Sequence, residues 1–525
     1  MAKEIEKSMA VSAGTVSAAT ALSRILGLIR EQVTAYFFGA GMATDAFVAA
    51  FRIPNLLRDL FAEGALSSAF VPVFKDKLVK EGDSPAYYLA SITITALIII
   101  VGVVVALGII FTPAIIYVSA KGFTFDPEKF ELTVNLTRLM FIYLLLVSVS
   151  AVLMGILNSK GRFGVPALSP AMFNLGMILS PVILYKYFNF PIYTLAVGVI
   201  IGGIGQLIFQ IPSLVNLGFR FRFIIDFGNE GIRRIGRLIS PMILGLSASR
   251  INILINTLLA SMLIEGAMSY LNYAYRLMHF PLGVFGVALG TVTLPKISGD
   301  ASRNDLEQLK KTFHEAFGLA MFLVIPSTVY LIGFGNDLVQ LVYQRGAFDP
   351  VATARTAQAL YFYAFGLIGF AGVRVIAPAY YALSDSRRPM YYSIVSVIVN
   401  IGLNFAFMPL WGFAGLAAAT SVAGLVNLFL LLYNLRHKIS GINFSFMLWK
   451  VAKILAAVML AYFIISSINF KILIGINSLW DKIALVTIQV AGLGGLYILF
   501  AWLLRIEELK NILNIFSRKI KKDTK

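Results

Sequence analysis

Charged side chains inside long apolar segments are the candidate functional residues of this sequence. Ten of the 44 basic residues lie within or at the edges of such segments, and four of these are Arg24, Arg30, Arg52 and Arg58. An arginine near the middle of a membrane costs about 2.5 to 3.5 kcal/mol on insertion scales. Polar partners or a water-filled interior must therefore compensate these charges.

Acidic residues follow two of the arginines at a regular spacing. Arg24 and Glu31 are seven residues apart, as are Arg52 and Asp59. Two helical turns place each acid on the helix face of its arginine, about 10 Å away along the axis. Because this is too far for an ion pair within one helix, we expect each arginine to find its partner on another helix or in a ligand.

Arginines outnumber acids in these segments. The first half of the chain has four acids for its four arginines: Glu31, Asp45, Asp59 and Glu63. In the second half, Arg250, Arg276 and Arg374 have almost no acid in the same segments. Surplus arginine in a low-dielectric cavity suits an anionic substrate, and the planar guanidinium fits phosphate oxygens better than the point charge of lysine does. The alternative is an interhelical salt-bridge lattice that only fixes helix packing.

Other chemistries have little support. The chain has no cysteine and three widely separated histidines, which excludes thiolate sites and argues against a histidine metal centre. It has no Walker A sequence, so energy must come from an ion gradient, the membrane potential or the substrate gradient. We expect no cofactor. Neutral oxygens form a weak candidate site for a monovalent ion such as sodium, with interhelical hydrogen bonding as the favoured alternative: Asn256, Asn400, Asn404 and Thr420.

Composition places these residues in a membrane. The 525-residue chain is 58% hydrophobic and 13% charged, about half the charge of soluble domains. Its apolar runs are long enough to cross about 30 Å of hydrocarbon. We predict an all-α integral membrane protein with fourteen transmembrane helices, at residues 11–38, 43–72, 88–118, 133–157, 166–186, 191–216, 235–262, 267–295, 314–334, 353–383, 389–409, 411–435, 446–468 and 481–504. Charges interrupt the first span, so we expect a retained helix and not a cleavable signal peptide.

Basic residues indicate the orientation. With a cytoplasmic N-terminus, 27 Lys and Arg residues lie on the cytoplasmic side and 7 on the other. The positive-inside rule therefore predicts that both termini are cytoplasmic. The formal net charge of +18 then favours anionic membrane lipids as partners, and we expect no nucleic-acid partner.

An internal repeat divides the chain. Residues 226 positions apart match at four distant places, among them Ser23-Arg24 with Ser249-Arg250 and Asn174 with Asn400. An offset that covers an even number of spans predicts two six-helix lobes of the same orientation, an arrangement that transporters use to hold a substrate between lobes. We predict an N-terminal lobe over 1–217 (spans 1–6) and a C-terminal lobe over 218–440 (spans 7–12). Spans 13 and 14 follow, with a basic cytoplasmic tail, over 441–525.

Longer motifs occur in order along the chain. They are SRILGLIRE at 23–31, FGAGMATDAF at 38–47, PNLLR at 54–58, AEGA at 62–65, FVP at 70–72, RLM at 276–278, FP at 280–281 and GVALGT at 286–291. These motifs resemble the MurJ/MviN family of lipid II flippases in the MOP exporter superfamily. The resemblance implies a MATE-like fold, with two lobes around a cationic cavity and a groove at helices 13 and 14 for a polyprenyl tail.

The resemblance also implies roles for individual residues. It places Arg24, Arg30, Asp45, Arg58 and Arg276 at functionally important cavity positions, with Arg30, Arg58 and Arg276 as the pyrophosphate ligands. We add Arg52 to the predicted substrate-binding set. We assign transport coupling or gating to five further positions: Glu31, Asp45, Asn55, Asp59 and Glu63.

The predicted function is the flipping of lipid II, a peptidoglycan precursor, from the cytoplasmic to the outer leaflet of the bacterial inner membrane by alternating access. A related polysaccharide-unit flippase or an ion-coupled multidrug exporter of the same superfamily is an alternative. A membrane enzyme acting on polyprenyl phosphates would place catalytic acids or histidines at a membrane face, and no such cluster is evident in the sequence. A non-transporting scaffold would give no reason for surplus intramembrane arginine.

Overall fold

The structure is a computed structural model that describes residues 2–59, 65–303, 305–439, 444–475 and 478–513. Within these ranges, side chains are not described at 2–13, 65, 241, 243–249, 284–296, 298, 300–302 and 306. The described ranges contain eighteen α-helices and no strand. The helices are α1 (Ala2–Phe38), α2 (Met42–Arg58), α3 (Ala65–Glu81), α4 (Asp83–Ile110), α5 (Thr112–Ser119), α6 (Pro127–Ser159), α7 (Gly164–Leu184), α8 (Tyr193–Ile208), α9 (Ile211–Asn216), α10 (Glu230–Ser261), α11 (Ala267–Ser302), α12 (Leu306–Tyr343), α13 (Pro350–Ala382), α14 (Arg387–Trp411), α15 (Phe413–Lys438), α16 (Phe444–Ser467), α17 (Phe470–Ile474) and α18 (Leu479–Leu503).

Ten helices of the described chain are long and apolar enough to cross a membrane, which makes this a multi-pass membrane protein. The other four predicted spans fall on α1, on α2 with α3, on α10 and on α11. These are the helices that contain most of the intramembrane arginines, and charge lowers their apolar character. The all-helical membrane class is confirmed, and the count of fourteen stays a prediction.

The first compact unit comprises the described residues of 1–269 together with 345–348. In it, α1 packs on α7, α2 on α6, and α7 on α8. An aromatic cluster joins three of these helices: Phe51 of α2 lies 6.3 Å from Tyr143 of α6 and 6.2 Å from Phe173 of α7, measured between ring centroids. The turn between α1 and α2 contains Gly39, whose positive φ of 60° suits glycine.

Glycines allow α7 and α8 to approach closely. A Cβ atom on Gly176 would lie 2.5 Å from the backbone nitrogen of Gly202 and 3.0 Å from the carbonyl oxygen of Gly198. The Gly198-x-x-x-Gly202 spacing therefore serves helix packing.

The second compact unit comprises the described residues of 270–344 and 349–525. Its α13 packs between α12 and α15, while α16 and α18 pack on each other and on α12. Here too a glycine sits at a close contact, because a Cβ atom on Gly369 of α13 would lie 2.6 Å from the carbonyl carbon of Gly424 in α15.

Helix α10 belongs to the first unit, where it packs on α3, α4 and α5, although the repeat assigns it to the second lobe. The contacts show which helices pack together, but they do not show which helices move together during transport. The lobe division from the repeat therefore stays a prediction.

Candidate functional site

Arg30 lies on α1 where this helix meets α7. Its side chain is 12% exposed. It donates from Nη1 to Asn174 Oδ1 at 3.1 Å and from Nη2 to Glu31 Oε1 at 2.6 Å. Its guanidinium carbon lies 5.9 Å from the ring centroid of Phe173. Asn174 in turn donates to the carbonyl oxygen of Ser23 at 3.0 Å. An acid, an amide and an aromatic face thus hold the guanidinium group in place.

Glu31 is buried and forms an ion pair with the adjacent Arg30. A long arginine side chain can bend toward its sequence neighbour, a pairing that the seven-residue spacing did not indicate. Arg24 is exposed on α1, and its partner on another helix or in a ligand stays a prediction. Asn174 was missed as a site residue, although it begins one of the repeat matches.

A second arginine site joins the end of α2 to α10. Asp59 accepts from Arg58 Nη2 at 3.2 Å through Oδ1 and pairs with Arg250 Nη1 at 2.8 Å through Oδ2. The three side chains are 17–27% exposed. The sequence shows almost no acid for Arg250 within the second-half segments, and the structure supplies Asp59 from a helix distant in sequence. Arg250 Nε has no hydrogen-bond acceptor among the described residues.

The remaining predicted residues of α2 lie between its two ends. Arg52 and Asn55 are both partly buried there. Glu63 lies outside the described residues, so its predicted role stays a prediction.

Asp45 forms a buried network at the start of α2. The residue is 1% exposed. Its Oδ2 accepts from Lys129 Nζ at 3.0 Å and from the backbone N–H of Gly266 at 2.8 Å. Its Oδ1 accepts from the backbone N–H and the hydroxyl of Ser269 at 2.9 and 2.7 Å. Four donors therefore satisfy this carboxylate and fasten α2 to the segment between α10 and α11. Lys129, which sequence reasoning placed in a loop, is part of this buried pair.

The predicted residues of the second unit are more dispersed. Arg276 is exposed on α11. Arg374 of α13 donates from Nη1 to the carbonyl oxygen of Leu282 at 3.2 Å. The aromatic ring of Tyr275 lies 4.1 Å from the His279 ring centroid. Arg276 thus lies on α11 near two aromatic groups of the same helix, Tyr275 and His279.

The second unit also contains a buried acid that sequence reasoning missed. Asp337 of α12 is 6% exposed. It pairs with Lys471 Nζ at 2.5 Å and accepts from Gln489 Nε2 of α18 at 2.8 Å. Asp337 lies just beyond the predicted span 314–334, so the sequence analysis did not count it among the acids of the spans. The contacts tie α18 to α12.

Three of the four residues of the candidate sodium site lie together. Asn404 donates to Asn400 Oδ1 at 3.2 Å, and Asn400 donates to Thr420 Oγ1 at 3.4 Å. Asn256 lies on α10 in the first unit. The first bond lies within α14, and the second joins α14 to α15, as interhelical packing requires. In the described part of the chain, no group of three or more His, Cys, Asp or Glu residues could hold a metal ion.

Ion pairs outside the membrane-spanning segments fix helix ends. Asp385 follows α13 and accepts from Lys438 Nζ at 2.7 Å and from the backbone N–H of Arg388 at 3.3 Å. The hydrogen bond from Lys438 holds the pKa of Asp385 below its ordinary value, although burial acts in the opposite direction. Hydrogen bonds from Lys80 and Arg234 likewise lower the pKa of Asp76.

The chain matches a family model described as lipid II flippase MurJ over residues 34–488. It is similar to the lipid II flippase MurJ of Burkholderia cenocepacia, at 34% identity over 81% of this chain and 83% of that protein. It is also similar to a probable lipid II flippase MurJ of Buchnera aphidicola, at 32% identity over 96% of this chain and 98% of that protein.

The chain is also similar to solved structures. The chain matches a lipid II flippase MurJ in an inward closed conformation with a TM-score of 0.77 and 26% identity, over 96% of this chain and 99% of that one. It matches an inward-facing multidrug resistance MATE family transporter of the MOP superfamily with a TM-score of 0.67 and 14% identity, over 79% of this chain and 94% of that one. At that identity the second match shows a shared fold alone.

Proposed function

Since the chain belongs to the lipid II flippase MurJ family, we propose that it moves lipid II from the cytoplasmic to the outer leaflet of the bacterial inner membrane. Lipid II is undecaprenyl-pyrophosphate-linked disaccharide-pentapeptide, and its transfer supplies peptidoglycan synthesis. Moving it breaks no covalent bond, so the chain acts as a transporter and not as an enzyme. Both termini lie in the cytoplasm in this proposal, as the distribution of basic residues predicts.

The arrangement of Arg58, Asp59 and Arg250 is the observation that best supports a pyrophosphate ligand. Two guanidinium groups meet at one carboxylate at a partly buried place, and Arg250 Nε is buried there without an acceptor among the described residues. A buried donor without an acceptor is costly, and the oxygen of an anion would supply the acceptor. Pyrophosphate supplies several oxygens in a geometry that planar guanidinium groups bind through paired hydrogen bonds.

In the proposal the other predicted ligands also bind the substrate: Arg24, Arg30, Arg52 and Arg276. Arg30 is already oriented by an acid and an amide, so little conformational entropy is lost when it binds an anion. Glu31 and Asp59 balance the arginines before the substrate arrives, and this balance couples substrate binding to movement of the helices.

Alternating access requires a contact that opens on one side, and the start of α2 offers one. Asp45 fastens α2 to Gly266 and Ser269, and Glu265 Oε1 accepts from the backbone N–H of Met42 at 2.7 Å. In the proposed cycle these contacts close the outer side and break when lipid II leaves. Asn55 and Glu63 are further proposed gating positions.

The test is the accessibility of lipid II at the outer leaflet of cells that are depleted of this protein and complemented with variants. Arg30→Ala and Arg276→Ala should be expressed but should not restore accessibility. Arg30→Lys should restore it only in part, because lysine keeps the charge and loses the planar fork. Arg138→Ala is the matched control: this arginine also lies within a span and donates to the backbone oxygen of Ile109 at 3.3 Å.

Rescue by the native chain and by Arg138→Ala, without rescue by Arg30→Ala or Arg276→Ala, would support flipping through the arginine site. Normal accessibility with both alanine variants would contradict the proposed ligands. Normal accessibility after depletion, in cells that have no second flippase, would contradict the proposed function itself.

A further inference from the structure

A cavity of about 640 Å³ lies at one end of the second compact unit. The first turns of α12, the start of α16 and the segment that follows α18 enclose it. The positive-inside distribution predicts that this end faces the cytoplasm. Three lysines, a histidine and two glutamates are among its lining residues: Lys311, Lys450, Lys510, His314, Glu315 and Glu507.

One of the three lysines is neutralised within the protein. Lys450 Nζ pairs with Glu507 at 2.9 Å and with Glu508 at 3.0 Å, and it lies 4.8 Å from the ring centroid of Phe446. Glu508 is 3% exposed and contacts Gly318 of α12. This group of contacts builds one wall of the cavity. Because it has two carboxylates for one ammonium group, it contributes a net negative charge and no free positive charge.

The other charged groups of the lining have no partner in the described chain. Lys311, Lys510 and Glu315 form no ion pair among the described residues. The cavity therefore offers a ligand the positive charges of Lys311 and Lys510 and the negative charge of Glu315, beside the net negative charge of the group formed by Lys450 and its two glutamates. A ligand that carries both a phosphate and an ammonium group would match this combination.

The histidine adds an acceptor beside these charges. His314 Nδ1 lies 2.8 Å from the carbonyl oxygen of Lys310. Because a carbonyl oxygen can only accept, Nδ1 carries the hydrogen, and in the neutral ring Nε2 is left as an acceptor. Nε2 is buried and has no hydrogen-bond partner in the described structure. A ligand with N–H donors would supply the missing partner.

We propose that this cavity binds the phosphoethanolamine headgroup of a membrane phospholipid. The phosphate interacts with Lys311 and Lys510, and the ammonium group interacts with Glu315 and donates to His314 Nε2. A lipid source is favoured because Phe446, Leu448 and Trp449 of α16 are exposed next to the cavity, and aromatic side chains anchor helices at the membrane interface. Basic pockets between helices at the cytoplasmic face are suited to lipid headgroups.

The experiment measures lipid binding to the purified full-length chain by native mass spectrometry, with phosphatidylethanolamine, phosphatidylcholine and phosphatidylglycerol compared at equal concentration. The native chain should retain phosphatidylethanolamine best, because choline has no N–H donor and glycerol has no positive charge. The double variant Lys311→Gln/Lys510→Gln should bind it about thirtyfold more weakly, from the usual contribution of two basic residues at a membrane surface.

The matched control is Lys75→Gln/Lys453→Gln, which removes the same charge from lysines that do not line the cavity and should change affinity by less than about twofold. Glu315→Gln should bring the affinities for phosphatidylethanolamine and phosphatidylglycerol close together, and unchanged thermal unfolding of each variant would show that it is folded. Flipping is not the readout, so the result is independent of the proposed function.

Three results would overturn the proposal. One is equal retention of phosphatidylethanolamine and phosphatidylglycerol by the native chain. Another is affinity of Lys311→Gln/Lys510→Gln equal to that of its control. The third is displacement of the lipid by inorganic phosphate or by lipid II, which would assign the cavity to a free anion or to the transported substrate.

Discussion

Asp45→Asn is the substitution that tests the buried network at the start of α2. Asparagine keeps the shape of the side chain but removes the charge that pairs with Lys129. Its Oδ1 can still accept from Ser269, whereas its amide group would face the donors Lys129 Nζ and Gly266 N–H, which now contact Oδ2 at 3.0 and 2.8 Å. Donors would then face donors at a place that is 1% exposed.

The expected loss is large because the unpaired charge stays buried. Lys129 is itself 8% exposed, and the removal of one member of a buried ion pair costs about 3–5 kcal/mol. We expect Asp45→Asn to lower the free energy of unfolding by this amount. Lys129→Gln should also destabilise the chain, and the double variant should lose less than the sum of the two, since neither charge then remains alone.

The experiment measures unfolding by denaturant in mixed micelles for the native chain, the two single variants and the double variant. The four values give the coupling free energy between Asp45 and Lys129. A coupling of about 2–3 kcal/mol is expected from the contact distance and burial. Additive losses, or a loss below about 1 kcal/mol for Asp45→Asn, would show that the carboxylate is not held as the contacts indicate and would refute this reasoning.

The same substitution also tests the proposed gate. The chain has no cysteine, so a single Ile264→Cys change gives an unambiguous label site on the segment that Asp45 fastens. Ile264 is 50% exposed. A membrane-impermeant maleimide added from outside should react faster when Asp45→Asn is present. Equal labelling rates would remove Asp45 from the gate while leaving its effect on stability intact.

Two further predictions concern packing and pH. Gly176→Ala should lower the free energy of unfolding by about 1–3 kcal/mol, because the new Cβ would lie 2.5 Å from the Gly202 nitrogen. The control is Gly102→Ala on α4, whose new Cβ meets nothing within 4 Å and which should raise the free energy of unfolding by up to about 1 kcal/mol. Equal thermal unfolding temperatures for the two variants would contradict this prediction. Because the hydrogen bond from Lys438 lowers the pKa of Asp385, its stabilising effect is present above the ordinary pKa and is lost as pH falls through the lowered one. The stability difference between the native chain and Asp385→Asn should therefore be constant above about pH 5 and shrink below about pH 4, and a difference that persisted at lower pH would count against the pairing.

The sequence by itself predicts much of the fold. Apolar runs that match the membrane thickness predict spans, because the bilayer requires every backbone polar group to be bonded within a helix. The family was identified correctly from ordered motifs that include SRILGLIRE and FGAGMATDAF. The helix-packing role of Gly198 and Gly202 also followed from their spacing, since small residues four apart lie on one face of a helix.

The sequence does not show which acid pairs with which arginine. The sequence indicates that Arg30, Arg58 and Arg250 need compensation, because the cost of a charge in the membrane depends on the residue type and depth alone. Which acid compensates them depends on side-chain reach and on contacts between helices far apart in the chain. Thus Glu31 pairs with the adjacent Arg30, and Asp59 reaches Arg250 across nearly two hundred residues.

Some features of this protein follow from its sequence and others from its tertiary structure, for a physical reason. Membrane embedding, helical class and the positions of the costly charges follow from local composition, which is a property of each segment by itself. The burial of Asp45 with Lys129, and of Asp337 with Lys471, arises only when distant segments pack, because each pair is stable only when both partners leave water together.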